Sequence, residues 1–348
     1  MSKLKLTGGG TRCTPSEKTL EDILEDVPKN ETIVNNIIKA FRIINNPKYQ
    51  NIVCSISGGA DSDIILDICE RVSNKDVEYI WIDTGLEYQA TKDHLAYLVD
   101  KYNIDILRLK AIKSIPLCCS QYGQPFLSKI ISEYIYRLQL HDFKWEDESF
   151  DVLIKKYPNC KIALQWWCSE NGENSRFNIK RNKYLKEFMI ENPPNFKISN
   201  KCCEYAKKKV AKVAKKIKNA DLSITGIRKS EGGIRTAAYK NCFTEKESEV
   251  DEYRPIFFYS NADRAAYEDY YEVLHSKCYT KYGLKRTGCA GCPYNRKFEE
   301  ELDVIKQYEP KLYKAVWNIF GKSYEYTKKY RDYVKMRDAV EETNKTKI

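Results

Sequence analysis

The sequence is poor in histidine, and its three histidines, His94, His141 and His275, form no metal-binding pattern with one another. Because zinc hydrolases bind their metal largely through histidine, this scarcity argues against that class of enzyme. The chain also lacks the Gly-x-x-x-x-Gly-Lys sequence, which argues against a Walker-type kinase or GTPase. No apolar run is long enough for a membrane span or a secretory signal. We therefore expect a cytoplasmic protein without a membrane partner.

Cysteine, by contrast, is abundant, with 13 residues in a chain of 348. In a reducing compartment so many thiols are better explained by metal binding or catalysis than by disulfides. The formal charge of +10 favours polyanionic partners such as nucleotides, nucleic acid or acidic carrier proteins. An apolar content of 42% allows a sizeable core, in one large domain or two small ones.

Much of the positive charge lies in residues 201–218, where eight lysines accompany one acidic residue, Glu204. Apolar residues recur at helical spacing through this run, which predicts an amphipathic helix with a solvated lysine face. A contact surface for nucleic acid or a carrier protein is the other interpretation.

Short apolar runs alternate with helical patterns through the first third of the chain and again near residue 220. This alternation predicts an α/β fold with a Rossmann-like parallel sheet flanked by helices. The predicted strands cover residues 51–54, 77–82, 104–109 and 220–226.

The strand pattern is lost in the middle of the chain, where aromatic and helical segments predict an insertion at about residues 116–195. We expect an N-terminal helical segment over 1–45 and a nucleotide-binding domain over 46–295 that contains the insertion. A helical C-terminal region is expected over 296–348.

A glycine pair follows the first predicted strand, in the sequence Ser57-Gly58-Gly59-Ala60-Asp61-Ser62. Glycines allow the backbone to approach a phosphate, and the amides at a helix start donate hydrogen bonds to it. The hydroxyls of Ser57 and Ser62 would add hydrogen bonds, and Asp61 would hold Mg²⁺ against the phosphates. An ordinary glycine turn with a helix cap is the alternative.

Two further turns follow predicted strands. Asp83-Thr84-Gly85 ends the second strand, and a loop from Gly226 to Arg235 ends the fourth. Arg228 and Arg235 have the geometry to bind phosphate oxygens in pairs, although exposed loop arginines are the competing interpretation.

The cysteines include an adjacent pair, Cys202-Cys203, and a Cys-x-x-Cys motif formed by Cys289 and Cys292. Together these four thiols suit one metal centre. A zinc site with four thiolates and a set of buried free cysteines are the alternatives. We expect the remaining cysteines with no recognisable spacing to be structural, namely Cys118, Cys119, Cys160 and Cys168.

The Ser-Gly-Gly-x-Asp-Ser stretch resembles the pyrophosphate loop of the adenine nucleotide alpha-hydrolase superfamily, the PP-loop ATP pyrophosphatases. Asp83-Thr84-Gly85 and the Gly226-Ile227-Arg228 loop are similar to segments of its phosphoadenosine phosphosulfate (PAPS) reductase family that line the nucleotide. The resemblance implies catalytic roles for Asp61, Asp83 and Arg228. It implies nucleotide contacts by Ser55, Ser57, Gly58, Gly59, Ala60, Asp61, Ser62, Asp83, Thr84, Gly85, Gly226, Arg228 and Arg235.

The cysteine layout resembles the ligands of the 4Fe–4S cluster in adenylylsulfate (APS) reductases. This resemblance implies that Cys202, Cys203, Cys289 and Cys292 bind such a cluster. Cys278 is a reserve ligand, because related DNA-phosphorothioation enzymes use a more compact set, and the role of Cys242 stays open.

Two chemistries follow from the resemblance. PAPS and APS reductases release sulfite through a cysteine in a short C-terminal tail, whereas the 56 residues after Cys292 contain no thiol. We therefore expect an ATP-dependent, Mg²⁺-requiring sulfurtransferase that adenylates an acceptor oxygen, releases pyrophosphate and replaces the oxygen with sulfur. The sulfur donor would be a persulfide or sulfide, and the acceptor tRNA, DNA or a carrier-bound amide. A regulator that senses nucleotide or redox state is a third possibility, and a homodimer is compatible with all three.

Overall fold

The computed structural model of the chain describes residues 3–6, 17–232, 238–247 and 249–345. It divides into two compact units. The first, which we call the sheet unit, comprises residues 1–112 and 206–289; the second, the helical unit, comprises residues 113–205 and 290–348. No helix in the described ranges is both long and apolar enough to cross a membrane.

The sheet unit contains a seven-stranded sheet in the order β1-β4-β3-β2-β5-β7-β6. Strands β4, β3, β2, β5 and β7 run parallel, while β1 and β6 pair antiparallel at the two edges. The predicted parallel α/β fold is therefore confirmed. The strands are β1 Lys3–Leu6, β2 Ile52–Ile56, β3 Val77–Asp83, β4 Ile106–Lys110, β5 Leu222–Thr225, β6 Phe243–Thr244 and β7 Asp251–Tyr253.

The order of the strands reverses beside β2. The chain runs from β2 to β3 and β4 on one side and later returns to β5 on the other side of β2. Such a reversal leaves a crevice at the carboxyl ends of the strands, where ligands of open α/β sheets bind. The loop after β2 and the loop after β5 both lie at this crevice.

Helices cover both faces of the sheet because both faces are apolar. Ile52 and Cys54 lie in one buried cluster, whereas Val53 lies in another with Val210 and Ala214. Successive strand residues point to opposite faces, so this continuous apolar run buries both.

The helices follow the predicted order, with two before β2 and two long ones near the C-terminus. They are α1 Leu20–Glu25, α2 Glu31–Ile44, α3 Ala60–Val72, α4 Gln89–Tyr102, α5 Ile115–Tyr122, α6 Lys129–Leu140, α7 Phe150–Lys156, α8 Lys161–Trp167, α9 Leu185–Glu191, α10 Lys201–Cys203, α11 Lys209–Ile217, α12 Asn261–Tyr270, α13 Lys277–Thr280, α14 Phe298–Tyr308 and α15 Pro310–Lys345. A π-helical turn, Glu204–Lys208, precedes α11.

Helix α11 is the predicted amphipathic lysine helix. Its Val210 and Ala214 are buried against the sheet. Lys215 forms an ion pair with Glu252 at 3.1 Å. Part of the lysine face is thus compensated by acidic residues of the sheet unit.

The helical unit is built around aromatic side chains. Phe126 and Phe188 pack against Tyr326 and Tyr330 of α15, with ring centroids 4.9 to 6.4 Å apart. The hydroxyl of Tyr326 donates to the Asn192 carbonyl at 2.7 Å. Each tyrosine ring therefore contributes apolar surface while its hydroxyl keeps a hydrogen-bond partner.

A buried carboxylate, Asp67, joins three helices of the sheet unit. It accepts hydrogen bonds from Arg71 Nε at 2.6 Å, Tyr102 Oη at 2.8 Å and Tyr267 Oη at 2.7 Å. These donors lie on α3, α4 and α12. Their convergence fixes the helices that position the loops of the crevice.

We expect Asp67→Ala to lower the free energy of unfolding by about 3 kcal/mol, because it leaves the partly buried Arg71 and two tyrosine hydroxyls without their acceptor. Urea denaturation followed by circular dichroism measures this change. Asp93→Ala, which removes an exposed carboxylate from α4, should stay within about 0.5 kcal/mol of the wild type. Similar losses in both variants would show that Asp67 does not hold these helices together.

Candidate functional site

The glycine loop connects β2 to α3, as the sequence predicted. Gly58 has a positive φ of 67°, and a Cβ at this position would lie 2.8 Å from Thr91 Cγ2. A residue with a side chain would be strained and would clash, so the turn requires glycine. The turn directs the next three residues to the start of the helix.

The amides of the loop are bonded to hydroxyls. Those of Ser57 and Gly59 donate to Ser62 Oγ at 3.2 and 3.0 Å, and the Ala60 amide donates to Tyr279 Oη at 3.3 Å. Ser62 Oγ in turn donates to the Gly59 carbonyl at 2.7 Å. The loop thus presents a row of backbone donors at the first turn of a helix, which is the arrangement that suits an anion.

Three hydroxyls surround the bare Cα of Gly59. A Cβ there would lie 3.0 Å from Thr287 Oγ1 and 3.2 Å from both Ser57 Oγ and Tyr279 Oη. Thr287 and Tyr279 are joined to each other at 2.9 Å. We call these three hydroxyls, together with the bare Cα of Gly59, the Gly59 cradle; hydroxyls of this kind can donate to a phosphate oxygen that binds beside the loop. Sequence reasoning missed Tyr279 and Thr287, which lie more than 200 residues from the loop.

Gly226 brings the loop after β5 against the glycine loop. A Cβ at Gly226 would lie 2.8 Å from the carbonyl oxygen of Asp61, so only glycine allows this approach. Beyond it, Arg228 Nε donates to Asp61 Oδ1 at 2.8 Å. Arg228 Nη1 donates to Ser230 Oγ at 2.9 Å and to Asn261 Oδ1 at 3.0 Å.

The carboxylate of Asp61 therefore lies between two arginines. Arg264 Nη1 is 3.6 Å from Asp61 Oδ1, on the same oxygen that Arg228 contacts. Burial raises the pKa of Asp61, and this effect outweighs the attraction of Arg228 and Arg264. Arg228 is buried and bonded to protein acceptors, so its contact with a phosphate stays a prediction. Arg235 lies outside the described residues.

A buried network of ionisable groups continues from this ion pair. Arg264 Nε contacts Glu268 Oε1 at 2.8 Å, and the same oxygen lies 3.0 Å from His275 Nε2. On its other side, His275 Nδ1 is 2.9 Å from Asp63 Oδ2. His94 Nε2 reaches that Asp63 oxygen at 3.0 Å. Asp61 and Asp63, both in the first turn of α3, are thereby linked through α12.

His275 is charged over most of the neutral pH range. Burial alone would lower its pKa, but the contacts with Asp63 and Glu268 outweigh this effect and raise the pKa to about 9. The protonated imidazole therefore acts as a fixed cation between two carboxylates.

The turn after β3 is held by its own side chains. Asp83 accepts from Arg108, by Nε at 2.9 Å and by a closer contact from Nη2, and from the Gly85 amide at 2.9 Å. Burial would raise the pKa of Asp83, but the Arg108 and Gly85 hydrogen bonds outweigh it and lower the pKa. The sequence did not predict the role of Arg108, because this residue lies on the neighbouring strand β4 and belongs to no motif.

The backbone amides of this turn donate hydrogen bonds to Glu87. Its carboxylate accepts from the amides of Thr84 at 2.9 Å, Gly85 at 3.1 Å and Leu86 at 3.0 Å, and from the Thr84 hydroxyl. Burial and the neighbouring Asp83 raise the pKa of Glu87. Three consecutive amides pointing at one carboxylate show that the turn can bind an anionic oxygen.

The predicted cysteine ligands fall in different units. Cys202, Cys203 and Cys292 belong to the helical unit, whereas Cys289 is the last residue of the sheet unit. Cys289 Sγ lies 3.9 Å from Thr84 Oγ1. The reserve ligand Cys278 is also in the sheet unit and lies 3.6 Å from Thr91 Oγ1.

Within the helical unit, Cys202 is surrounded by other thiols. Hydrogen bonding to Cys119, together with burial and the nearby Cys292, raises the pKa of the Cys202 thiol well above its usual range, although Cys203 opposes this shift. Cys119 lies on α5, which packs against α10. The structure therefore places Cys119 beside the predicted ligand Cys202, a proximity that the sequence did not predict.

The backbone beside Cys292 requires glycine. Gly291 has a φ of +59°, and a Cβ there would lie 2.7 Å from Tyr324 Oη. Tyr324 donates to the Gly291 carbonyl. Within the described ranges, no three Cys, His, Asp or Glu side chains approach closely enough to bind a single metal ion. A cuboidal iron–sulfur cluster spreads its ligands over several iron atoms and needs a wider thiol arrangement than one ion does.

Comparisons with known proteins find one family match and one longer relative. Residues 51–126, which contain the glycine loop and the Asp83 turn, match the family described as Phosphoadenosine phosphosulfate reductase domain. The uncharacterized protein MJ0066 of Methanocaldococcus jannaschii is 25% identical over 312 residues, which are 87% of this chain and 48% of the relative. The chain thus spans about half the length of that relative.

Two solved structures are similar to this chain at low sequence identity. The PAPS reductase of Candida auris, in a phosphate complex, is 15% identical with a TM-score of 0.40 and covers 80% of this chain and 98% of its own. The U34-tRNA thiolase NcsA of Methanococcus maripaludis, with its 4Fe–4S cluster, is 13% identical with a TM-score of 0.38 and covers 88% and 81%.

The raised pKa of His275 predicts a pH dependence of stability. An unfolded histidine has a pKa near 6.5, so the stabilisation by His275 is complete below this pH and is lost as the pH rises through about 9. We expect the free energy of unfolding to fall over this interval and His275→Gln to remove most of the slope, as measured by urea denaturation from pH 6 to about 9.5. His141→Gln, at an exposed position, is the control. An unchanged slope in His275→Gln would contradict the charged network.

Proposed function

We propose that this chain, whose residues 51–126 match the family described as Phosphoadenosine phosphosulfate reductase domain, is an ATP-dependent iron–sulfur sulfurtransferase. In this reaction the acceptor oxygen attacks the α-phosphate of ATP and pyrophosphate leaves. Sulfur then displaces AMP, so that the acceptor exchanges oxygen for sulfur. The observation that carries the proposal is the Gly59 cradle at the crevice beside β2, in a chain whose helical unit gathers several cysteines.

The glycine loop would bind the pyrophosphate end of MgATP. The amides of Ser57, Gly59 and Ala60 are bonded to hydroxyls, which are neutral acceptors that a phosphate oxygen can replace with a stronger, charge-assisted hydrogen bond. As pyrophosphate leaves, these amides and the positive end of α3 stabilise the charge that develops on it. Ser62 would donate to the phosphate only after its hydroxyl leaves the Gly59 carbonyl, to which it donates at 2.7 Å.

The charged groups beside the loop would orient the reaction. Asp61 is the expected carboxylate for the magnesium ion that accompanies ATP, and Arg228 and Arg264 balance its charge. Asp83, held by Arg108, is the second expected catalytic carboxylate. The Thr84-Gly85 turn would approach the ribose or base of the nucleotide.

The cysteines would hold the cluster. The expected ligands are Cys202, Cys203, Cys292 and Cys289, a donor set made entirely of sulfur, which suits iron–sulfur clusters. When bound, a 4Fe–4S cluster would carry sulfide as the nucleophile only on an iron that one of these four thiolates leaves open, because four thiolates occupy all four irons.

The acceptor would be a polyanionic or carrier-bound molecule, namely tRNA, DNA or an amide on a carrier protein. The net charge of +10 is compatible with each of these. The sulfur donor would be a persulfide or free sulfide.

Reduction of PAPS or APS to sulfite is the second candidate function, because the matching family is described as a PAPS reductase domain. Thioredoxin-dependent release of sulfite from either sulfonucleotide would favour this candidate over sulfur transfer. A nucleotide-sensing regulator would bind ATP without turnover.

We expect the protein, reconstituted anaerobically with iron and sulfide, to bind about four iron atoms per chain. With MgATP, sulfide and the correct acceptor it should release pyrophosphate and AMP, and the acceptor should gain sulfur in place of oxygen by mass spectrometry. Sulfite release with thioredoxin, without pyrophosphate release, would contradict the proposal.

Gly59→Ala tests the cradle directly. Gly59 has φ −103° and ψ 156°, which alanine adopts without strain, so the added methyl group acts by filling the cradle. We expect a non-hydrolysable ATP analogue to bind at least about tenfold more weakly, a loss of roughly 1.4 kcal/mol, in isothermal titration calorimetry. Gly321→Ala, where a Cβ makes only ordinary contacts at 3.7 and 3.8 Å, is the control. Equal affinities in the two variants would exclude the cradle as the phosphate site.

A further inference from the structure

Two arginines face Asp61, and the first of them, Arg228, is held firmly by the protein. Its side chain is 7% exposed. It donates to Asp61 at 2.8 Å, to Ser230 at 2.9 Å and to Asn261 at 3.0 Å. These acceptors lie on α3, on the loop after β5 and on α12. Moving Arg228 toward a ligand would therefore break hydrogen bonds that connect three elements of the crevice.

The second arginine, Arg264 of α12, is held by one close contact. Its Nε lies 2.8 Å from Oε1 of Glu268, one helical turn further along. Its Nη1 lies 3.6 Å from Asp61 Oδ1, which is too long for a hydrogen bond. The side chain is 28% exposed. The terminal nitrogens of this guanidinium can therefore turn toward a ligand while Nε stays on Glu268.

Arg264 lies beside the glycine loop and close to the residues that support the Gly59 cradle. Asp61, which it faces, belongs to the first turn of α3, directly after the loop. Glu268, which holds its Nε, is 3.0 Å from His275 Nε2. The ring of His275 lies 5.9 Å from that of Tyr279, whose hydroxyl is part of the cradle. All of these residues belong to the sheet unit.

A phosphate chain at this loop needs a full positive charge from the protein. The phosphates would add negative charge next to the carboxylate of Asp61, and the amides of the loop carry only partial positive charge. An arginine carries a full charge, and its two terminal nitrogens match two oxygens of one phosphate. Of the two arginines at Asp61, Arg264 is the more exposed and the less firmly bonded.

We propose that Arg264 binds the pyrophosphate end of the nucleotide. The assignment rests on the proposed function, which brings MgATP to the glycine loop. On binding, the terminal nitrogens of Arg264 exchange their long contact with Asp61 for hydrogen bonds to phosphate oxygens, while Arg228 keeps its hydrogen bonds to the protein. Arg264 belongs to none of the three loops that the sequence predicted to bind nucleotide.

Isothermal titration calorimetry with inorganic pyrophosphate and Mg²⁺ measures the effect of removing this contact. We expect Arg264→Gln to bind pyrophosphate at least about tenfold more weakly than the wild type, because a pair of charge-assisted hydrogen bonds is lost. Arg264→Lys keeps the charge without the paired donors, so its affinity should fall between those of the wild type and Arg264→Gln.

Arg42→Gln is the control, because it removes the same charge from an exposed position in the last turn of α2. This end of α2 lies against the end of α3 that is far from the glycine loop, where Asn45 Nδ2 donates to the Val72 carbonyl at 2.8 Å. We expect Arg42→Gln to bind pyrophosphate as the wild type does. Equal weakening in Arg42→Gln and Arg264→Gln would show an effect of net charge and would overturn the assignment.

Arginine labelling of the wild type tests the contact without any substitution. Phenylglyoxal modifies accessible guanidinium groups, and mass spectrometry of peptides locates the label. We expect Arg264 to be labelled in the free protein and protected by pyrophosphate with Mg²⁺, while Arg42 is labelled equally in both samples. Labelling of Arg264 that pyrophosphate leaves unchanged would overturn the assignment, even if Arg264→Gln fails to fold.

The failure of this assignment is distinguishable from the failure of the proposed function. Urea denaturation first checks that each variant folds. A folded Arg264→Gln with the pyrophosphate affinity of the wild type would overturn the role of Arg264 alone. A wild type that binds neither pyrophosphate nor the non-hydrolysable ATP analogue would overturn the nucleotide site of the proposed function as well.

Discussion

The parallel pairing of β2 with β5 is the constraint on which the candidate site depends. The pairing sets Ile52 opposite Leu222 and Ser55 opposite Thr225, so the two strands end side by side. The loop after β5 then passes so close to the first turn of α3 that Gly226 has no room for a side chain. Every contact between Arg228 and Asp61 follows from this approach, because neither residue is near the other in the sequence.

Three consecutive residues in the first turn of α3 contact three different groups. Asp61 faces Arg228 and Arg264, Ser62 accepts the loop amides, and Asp63 is buried against His275. Consecutive helical residues point in directions about 100° apart, so three neighbours in sequence reach three different environments. The buried side of this turn is a network of alternating charges, and such a network is stable only if each charge has its partner. The geometry of the glycine loop at the start of this turn therefore depends also on the charged groups behind it.

The Gly59 cradle and the neighbouring thiols of the helical unit require different types of residue. The cradle needs backbone amides and small residues, and the glycines of the loop supply both. A set of neighbouring thiols needs cysteine side chains that are buried close together, and the packing of α5 against α10 provides this. Because a cysteine without metal behaves as a small apolar residue, such a group is compatible with a well-packed interior.

The local pattern of the sequence was enough to predict the parallel sheet, the glycine loop, the lysine helix and the long C-terminal helices. These features depend on periodicity and on the conformations available to glycine, which are properties of neighbouring residues. Three short strands, β1, β6 and β7, were not predicted. The predicted nucleotide and cluster ligands follow from family motifs, and their roles remain proposals.

Only the tertiary structure brought Tyr279 and Thr287 to the Gly59 cradle, Arg108 to Asp83 and Cys119 to Cys202. These partners lie on other strands, helices and loops, and which of them meet is decided by strand order and helix packing. A sequence gives the chemical type of each side chain and the number of residues that separate any two of them. The distance between two atoms in the folded protein depends on the burial and pairing of all the residues between them.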